Sequence, residues 1–126
     1  MQGLTTALFF AVALINLLPG IGVLSASRLE SLYGVPMAEA NLVILMRHRA
    51  VMLAIVGLLL AYAALRPPLR PIAVAAGLVS MLSFVAIAYL GEPNALLRRV
   101  AVVDIVGSLL LVAAAVLDHR LAGGAR

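Results

Sequence analysis

The chain has 126 residues, of which 65% are hydrophobic and only 11% are charged, and its mean hydropathy is +1.19. A soluble domain carries about 45–50% apolar and about 25% charged residues, so a chain this short could not bury its apolar surface in water. The net charge of +4 comes from arginine without lysine and with no basic run longer than two residues, which excludes an extended nucleic-acid patch. The absence of cysteine excludes disulfides and thiolate metal sites.

Four apolar runs are each long enough to cross a hydrocarbon core of about 30 Å as helices. They cover approximately residues 4–24, 42–65, 71–90 and 99–117. None of them shows the alternation of period 2 that is typical of an outer-membrane barrel strand. The sequence therefore predicts an all-α integral membrane four-helix bundle that forms a single domain over residues 1–126.

The first run contains Pro19, which is expected to bend or end its helix early. Residues 25–41 then form the longest polar connection in the chain. Within it, Tyr33 shares an apolar helical face with two leucines, and Gly34 suits the C-terminal end of a helix. We predict a short amphipathic helix at the membrane surface between spans one and two.

The later connections are short and carry strong helix breakers. Residues 66–71 contain three prolines, which prevent a helix from continuing, and we expect Arg66 and Arg70 in this turn to face water. Residues 91–94, with the sequence Gly-Glu-Pro-Asn, separate the third span from the fourth. These breaks predict antiparallel neighbouring helices.

Polar side chains converge on the membrane leaflet where spans one and three end and where spans two and four begin. The opposite half of the membrane offers few polar groups. We predict a ligand-binding site on the first leaflet, formed by Asn16, Arg47, His48, Arg49, Tyr89, Arg99 and Asp104. The only other histidine, His119, lies on the opposite side, so we expect no metal and no cofactor.

Asp104 lies about 6 Å inside the fourth span. An ionised carboxylate at that depth is costly against lipid, so it should face the bundle interior and find a partner. Arg98 and Arg99 lie on other faces of the same helix, whereas Arg49 enters from the same side at similar depth. We predict an Arg49–Asp104 ion pair, which either fixes the helix register or orients Arg49 toward a ligand.

The sequence contains no Gly-rich phosphate loop, no zinc-protease motif and no nucleophile elbow, so it identifies no catalytic residue. Three hypotheses remain. The first is a non-catalytic membrane protein that binds a lipid-like or quinone-like ligand, or a partner subunit, through Arg47, Arg49 and Arg99. The second is a small proton-coupled transporter or channel that uses Asp104. The third is a membrane enzyme in which His48 and Asp104 act as acid and base.

Several segments resemble a known family. The segments are Leu-Tyr-Gly-Val at 32–35, Leu-Met-Arg-His-Arg-Ala-Val at 45–51, and Arg98-Arg99 followed by Asp104. They resemble a family of bacterial four-span membrane proteins within the wider DoxX-like group, and the resemblance covers nearly the whole chain. The wider group includes membrane subunits linked to quinone or sulfur oxidoreduction. Some relatives are named phosphopantetheine adenylyltransferase, but this chain lacks the His-Xaa-Gly-His-type motif of that soluble enzyme.

The expected location is the bacterial inner (cytoplasmic) membrane, with several spans and with the lipid bilayer, a homo-oligomer or a partner membrane subunit as partners. The two sides carry nearly equal numbers of arginines, which are Arg66, Arg70, Arg120 and Arg126 beside the termini and Arg28, Arg47, Arg49, Arg98 and Arg99 opposite. If Arg47 and Arg49 lie inside the bundle, the side with the termini has more water-exposed arginines than the opposite side. We therefore expect both termini in the cytoplasm.

Overall fold

The computed structural model describes residues 2–19, 26–36 and 38–124. These residues contain helices and no strand. The helices are α1 (Gln2–Leu17), α2 (Ala26–Tyr33), α3 (Ala40–Leu65), α4 (Arg70–Leu90) and α5 (Ala95–Gly124). Within α2, the described side chains are those of Ser27, Glu30, Ser31 and Tyr33.

The four long helices form a bundle with the ring order α1, α3, α4, α5. Helix α1 packs against α3 and α5, and α4 packs against the same two helices from the opposite corner. Because the chain reverses direction from each long helix to the next, all neighbours in the ring are antiparallel. The prediction of an all-α four-helix bundle with a short helix between the first two long ones is confirmed.

Three segments are long and apolar enough to cross a membrane, namely Ala40–Leu65, Pro67–Leu90 and Ala95–Gly123. Their outward faces carry large apolar side chains, such as Val79 at 70% and Ile87 at 71% exposure. Soluble monomers rarely expose such continuous apolar surface, so lipid is the solvent that fits these faces.

Helix α1 is apolar but shorter than the other three, with 16 residues or a length of about 24 Å. It ends at Leu17, two residues before Pro19, where the proline was expected to end it. The predicted first span continued to residue 24, and its residues 20–24 lie outside the described part of the chain.

The breaks between the other helices follow their local chemistry. Pro67–Leu69 form a 3-10 turn between α3 and α4, as the three prolines of this segment predict. The Glu39 carboxylate caps α3, because its two oxygens accept the N–H groups of Asn41 and Leu42, each at 2.9 Å. The Asn94 side-chain oxygen caps α5 in the same way by accepting the Leu97 N–H at 2.8 Å.

Small residues let the helices approach closely. A Cβ atom added to Gly57 would lie 2.7 Å from Leu17 Cγ on α1, and 3.0 Å from the Ala13 carbonyl oxygen. A Cβ atom added to Gly107 would lie 2.9 Å from Met81 Sδ on α4. The α1–α3 and α4–α5 pairs therefore both pack at a glycine, which is how membrane helices gain van der Waals contact without a hydrophobic driving force.

Candidate functional site

Tyr33, the last residue of α2, is inserted into the end of the bundle. The Tyr33 side chain is only 2% exposed. It packs against Leu42 and Met46 of α3 and against Leu97 and Val100 of α5. Tyr33 therefore closes the bundle between the first turns of α3 and α5.

Gly34 fixes how α2 ends. Its φ of +65° lies in the left-handed region that glycine adopts without strain, and its N–H donates to the Glu30 carbonyl at 2.8 Å. The Asn94 side-chain amide donates to the Tyr33 carbonyl at 2.9 Å. A Cβ atom at position 34 would lie 2.9 Å from Leu96 Cδ1, so α2 is held directly on the start of α5.

Arg49 interacts with two aromatic side chains. Its Nη1 donates to the Tyr33 hydroxyl at 3.0 Å. Its guanidinium carbon lies 4.7 Å from the Phe84 ring centroid and 5.2 Å from the Tyr33 ring centroid, which are cation–π distances. The predicted ion pair with Asp104 is wrong, because Arg49 and Asp104 form no ion pair, and the buried ion pair between described side chains joins Arg70 to Asp118. Tyr33 offers Arg49 a closer acceptor and an aromatic face.

The charges of Arg49 and Asp104 nevertheless both influence the pKa of the Tyr33 hydroxyl. Burial raises the pKa of Tyr33 above its usual value, the Arg49 charge opposes this shift, and the Asp104 charge adds to it. The three side chains therefore form one electrostatic group at this end of the bundle, although Arg49 and Asp104 make no direct ion pair.

Asp104 lines a cavity of about 270 Å³ between α1, α2 and α5. We call it the Asp104 cavity. Its polar lining consists of Ser31, Arg99 and Asp104, and its apolar lining consists of Ile15, Leu18, Pro19, Leu96, Val100 and Val103. The partly buried Asp104 carboxylate forms no hydrogen bond or ion pair with any side chain that the structure describes.

The remaining predicted site residues lie apart from this cavity. Asn16 is buried, and its amide donates to the Val12 carbonyl at 2.9 Å and to Met81 Sδ at 3.8 Å, so it serves helix packing. Arg47, His48 and Tyr89 are exposed and do not line the Asp104 cavity. The structure thus brings Arg99 and Asp104 together, links Arg49 to Asp104 through Tyr33, and leaves the other four predicted residues outside.

Sequence reasoning missed a second polar cluster at the opposite end of the bundle, centred on Arg70. The Arg70 side chain is 3% exposed, and its Nη1 donates to Asp118 Oδ1 at 2.7 Å. Its Nε donates to the Ala63 carbonyl at 3.1 Å, and its Nη2 donates to the Ala64 carbonyl at 2.8 Å and to Thr6 Oγ1 at 3.4 Å. We call these five residues the Arg70 cluster.

The expectation that Arg70 faces water is wrong for a physical reason. The last carbonyls of α3 have no partner within the helix, and they form the negative end of its dipole. Arg70 begins the next helix and turns back onto the Ala63 and Ala64 carbonyls, where its charge is further neutralised by Asp118. The sequence held one signal for this contact. Arg70 directly precedes the third predicted span and Asp118 directly follows the fourth, so both lie at the same membrane surface.

The chemistry that the Asp104 cavity offers is hydrogen bonding and charge. No three His, Asp or Glu side chains lie close enough to hold a metal ion within the described residues. The Arg99 guanidinium can donate to a carbonyl or phosphate oxygen, and the Asp104 carboxylate can accept from a hydroxyl. The Ser31 hydroxyl donates to the Ser27 carbonyl at 3.0 Å, so it is left as an acceptor.

Comparisons with protein families, with curated proteins and with solved structures found no match for this chain. A helical bundle by itself hosts many unrelated functions. The function is therefore inferred from the polar groups and the cavities themselves.

Proposed function

We propose that this protein binds a lipid-like or quinone-like ligand in the Asp104 cavity and that it is a non-catalytic component of the bacterial cytoplasmic membrane. One observation carries the proposal. Asp104 is a carboxylate on a membrane-spanning helix that faces a mostly apolar cavity and pairs with none of the described side chains. Ionisable groups in membrane spans are costly, and they commonly mark the path or site of a ligand.

The cavity fits the polar end of an amphiphile. Its volume of about 270 Å³ is close to the lower end of ligand pockets, about 300 Å³, so it holds a ring or a head group and not a whole lipid. Arg99 supplies donors and Asp104 supplies acceptors, as a quinone carbonyl and a quinol hydroxyl require. Leu18 and Val103 line the cavity and are also exposed, at 54% and 42%, so they offer a route for an apolar tail into the lipid.

Helix α2 forms one wall of the cavity through Ser31. Its position depends on Tyr33, which is anchored by Arg49 and by the Asn94 amide. In this proposal Arg49 therefore acts as a positioning residue for the cavity wall. A quinone-like ligand also agrees with the quinone-linked subunits of the wider DoxX-like group, which the sequence resembles.

Native mass spectrometry of the protein released from its own membrane tests the proposal. We expect the wild-type protein to retain a small amphiphile, and we expect Asp104→Asn and Arg99→Gln to lose it. Arg98→Gln is the matched control, because Arg98 is exposed, is adjacent in sequence and does not line the cavity. A wild-type protein without any bound molecule, or equal retention in Asp104→Asn, contradicts the proposal. The same spectra report the copy number and any partner subunit.

A second pair of variants tests the apolar part of the cavity. Val103→Phe places a ring where the amphiphile would lie, so we expect the retained molecule to be lost. Val102→Phe makes the same change at the neighbouring position, which is exposed and does not line the cavity. Equal retention by the two variants would place the ligand elsewhere on the protein.

A proton-coupled transporter remains the alternative, because it would use the same Asp104 carboxylate facing a cavity. A substrate flux into proteoliposomes that Asp104→Asn abolishes would favour it over simple binding. The geometry lends no support to an enzyme that pairs His48 with Asp104, since His48 is exposed and lies outside the Asp104 cavity.

The membrane orientation that we propose is the reverse of the one expected from the sequence. The expectation of cytoplasmic termini required Arg47 and Arg49 to lie inside the bundle. Arg47 is exposed and Arg70 is buried instead, so the described exposed arginines are Arg47, Arg98 and Arg99 near α2 and Arg66 and Arg120 near the termini. We therefore place the α2 side in the cytoplasm.

Single cysteines test this orientation cleanly, because the natural chain contains none. The Glu92→Cys variant should react with a membrane-impermeant maleimide only after the cytoplasmic face is opened. The Pro68→Cys variant should react in intact cells whose outer membrane has been made permeable. The opposite pattern would restore cytoplasmic termini.

A further inference from the structure

A long groove runs between α4 and α5 at the end of the bundle that holds the Arg70 cluster. It consists of two cavities of about 320 Å³ and about 290 Å³. The two cavities share Val74, Ala115 and His119 in their linings, so they are parts of one surface feature. We call it the α4–α5 groove.

The groove is polar at one end and apolar along the rest of its length. Arg70, Asp118, His119 and Arg120 line the end that lies near the chain terminus. The remaining lining, deeper in the membrane, includes Val74, Leu78, Val112 and Val116. Val112 and Arg120 are separated by a helical rise of about 12 Å, so the apolar part is long enough to accompany the upper part of an acyl chain.

The polar end carries net positive charge. Arg70 and Asp118 compensate each other through their contact of 2.7 Å, and the Arg70 donors are directed at Asp118, Thr6 and the α3 carbonyls. The charge available to a ligand therefore comes from exposed Arg120, and the exposed His119 ring beside it offers an N–H donor. Among the side chains that the structure describes, Asp118 is the only acidic one that lines the groove.

The depth of these groups matches the lipid head-group region. Asp118, His119 and Arg120 directly follow the last apolar residues of the fourth predicted span. At this level an arginine beside an apolar groove lies among lipid phosphates, to which its guanidinium can donate charge-assisted hydrogen bonds.

We propose that the α4–α5 groove binds an anionic phospholipid of the bilayer, with its phosphate at Arg120 and His119 and one acyl chain along Leu78, Val112 and Val116. The groove lies at the opposite end of the bundle from the Asp104 cavity and shares no lining residue with it. It therefore does not depend on the function proposed for that cavity.

The experiment compares two phospholipids with identical acyl chains, phosphatidylglycerol and phosphatidylcholine, added in steps to the purified protein in a detergent micelle. Native mass spectrometry measures the apparent Kd of the first bound lipid. We expect tighter binding of phosphatidylglycerol, and we expect Arg120→Gln to weaken it about fivefold, the factor that one basic residue near an anionic surface supplies. Arg66→Gln is the matched control, because Arg66 is exposed at the same end of the bundle and does not line the groove.

The acyl chain is tested separately. Val116→Phe fills the apolar part of the groove and should weaken the binding of both lipids, whereas Val106→Phe on the same helix should not. Val116 and Val106 are almost equally exposed, at 46% and 47%, but only Val116 lines the groove. All four substitutions are at exposed or partly exposed positions, so an unchanged helical circular dichroism spectrum is expected and confirms that each variant is folded.

Three results would overturn the proposal. Equal binding of the two phospholipids would remove the role of the anionic phosphate. An equal loss in Arg66→Gln and Arg120→Gln would mean that the charge acts diffusely over the membrane face. Unchanged binding in Val116→Phe would show that the acyl chain lies outside the groove.

Discussion

The Arg70 guanidinium and the Asp118 carboxylate meet at 2.7 Å between the first turn of α4 and the far end of α5. The same guanidinium donates to the Ala63 and Ala64 carbonyls of α3 and to Thr6 of α1. One side chain thereby contacts the three other long helices of the bundle.

Asp118→Asn should destabilise the protein, because it leaves the Arg70 charge buried without its counter-charge. Breaking a fully buried pair costs about 3–5 kcal/mol, and the Asp118 side chain is 25% exposed, so we expect a smaller loss of about 2 kcal/mol. The measurement is the free energy of unfolding from titration with a denaturing detergent, followed by circular dichroism.

Two further variants serve as controls for this measurement. Arg66→Gln removes an exposed arginine from the same face and should leave the unfolding free energy unchanged. The double variant Arg70→Met with Asp118→Leu leaves no unpaired charge, but it also removes the donors to the Ala63 and Ala64 carbonyls. It should therefore recover only part of the loss. An Asp118→Asn variant as stable as the wild type would mean that the ion pair contributes nothing.

The raised pKa of Tyr33 predicts a pH dependence of stability. Burial favours the neutral phenol in the folded state, so the stabilisation is fully present below the unfolded pKa of about 10. It is lost as the pH rises through the higher folded pKa. The free energy of unfolding should therefore fall above pH about 10, and Tyr33→Phe should reduce this fall. Tyr89→Phe, at an exposed position, should retain it, and identical pH profiles for the two variants would contradict the assignment.

Gly57→Ala should weaken the packing of α1 on α3. The added methyl group would lie 2.7 Å from Leu17 Cγ and 3.0 Å from a backbone oxygen of Ala13, and backbone yields less easily than a side-chain tip. Overpacking of this kind costs about 1–3 kcal/mol. Detergent unfolding measures the loss, and Gly123→Ala, which has no atom within 4 Å of the added carbon, should cause none.

Gly34→Ala should loosen α2 from the bundle. A residue with a Cβ atom at φ +65° is strained by about 1–2 kcal/mol, and this Cβ atom would also push on Leu96 Cδ1 at 2.9 Å. Hydrogen exchange should become faster in the amides of α2 and remain slow in the centre of α3. Gly91→Ala is the control, since Gly91 has a φ of −97° and its nearest neighbour would lie 3.7 Å away. Unchanged exchange in α2 would contradict a role for Gly34 in docking this helix.

The helices could be predicted from the sequence because their limits are set locally. Apolar runs of sufficient length define the spans. The prolines of residues 66–71 and Gly91 interrupt them where the structure has turns, and α1 ends just before Pro19. A proline lacks an N–H group and clashes with the preceding turn, whatever surrounds it. Local chemistry of this kind needs no knowledge of the neighbouring helices.

The polar contacts could be predicted only in part. The sequence fixes the depth of Arg49 and Asp104 in their spans, but not the direction in which each side chain points around the bundle axis. The aromatic partners of Arg49 come from α2 and α4, and Tyr33 reaches it only because the connection folds into the bundle. The contact of Arg70 with Asp118 was not predicted for the same reason. The two residues are far apart in the sequence, and only the packing of α4 against α5 brings them together.

The contacts of the Arg70 cluster imply an order in which the helices can come together. Chains are synthesised from the N-terminus, and membrane helices are inserted before they pack against one another. When α4 has just entered the membrane, Arg70 can reach the carbonyls at the end of α3 and Thr6 of α1, but its counter-charge on α5 has not yet been made. Insertion of α5 brings Asp118 to this arginine, so the contact among α1, α3 and α4 is completed only after α5 has been made.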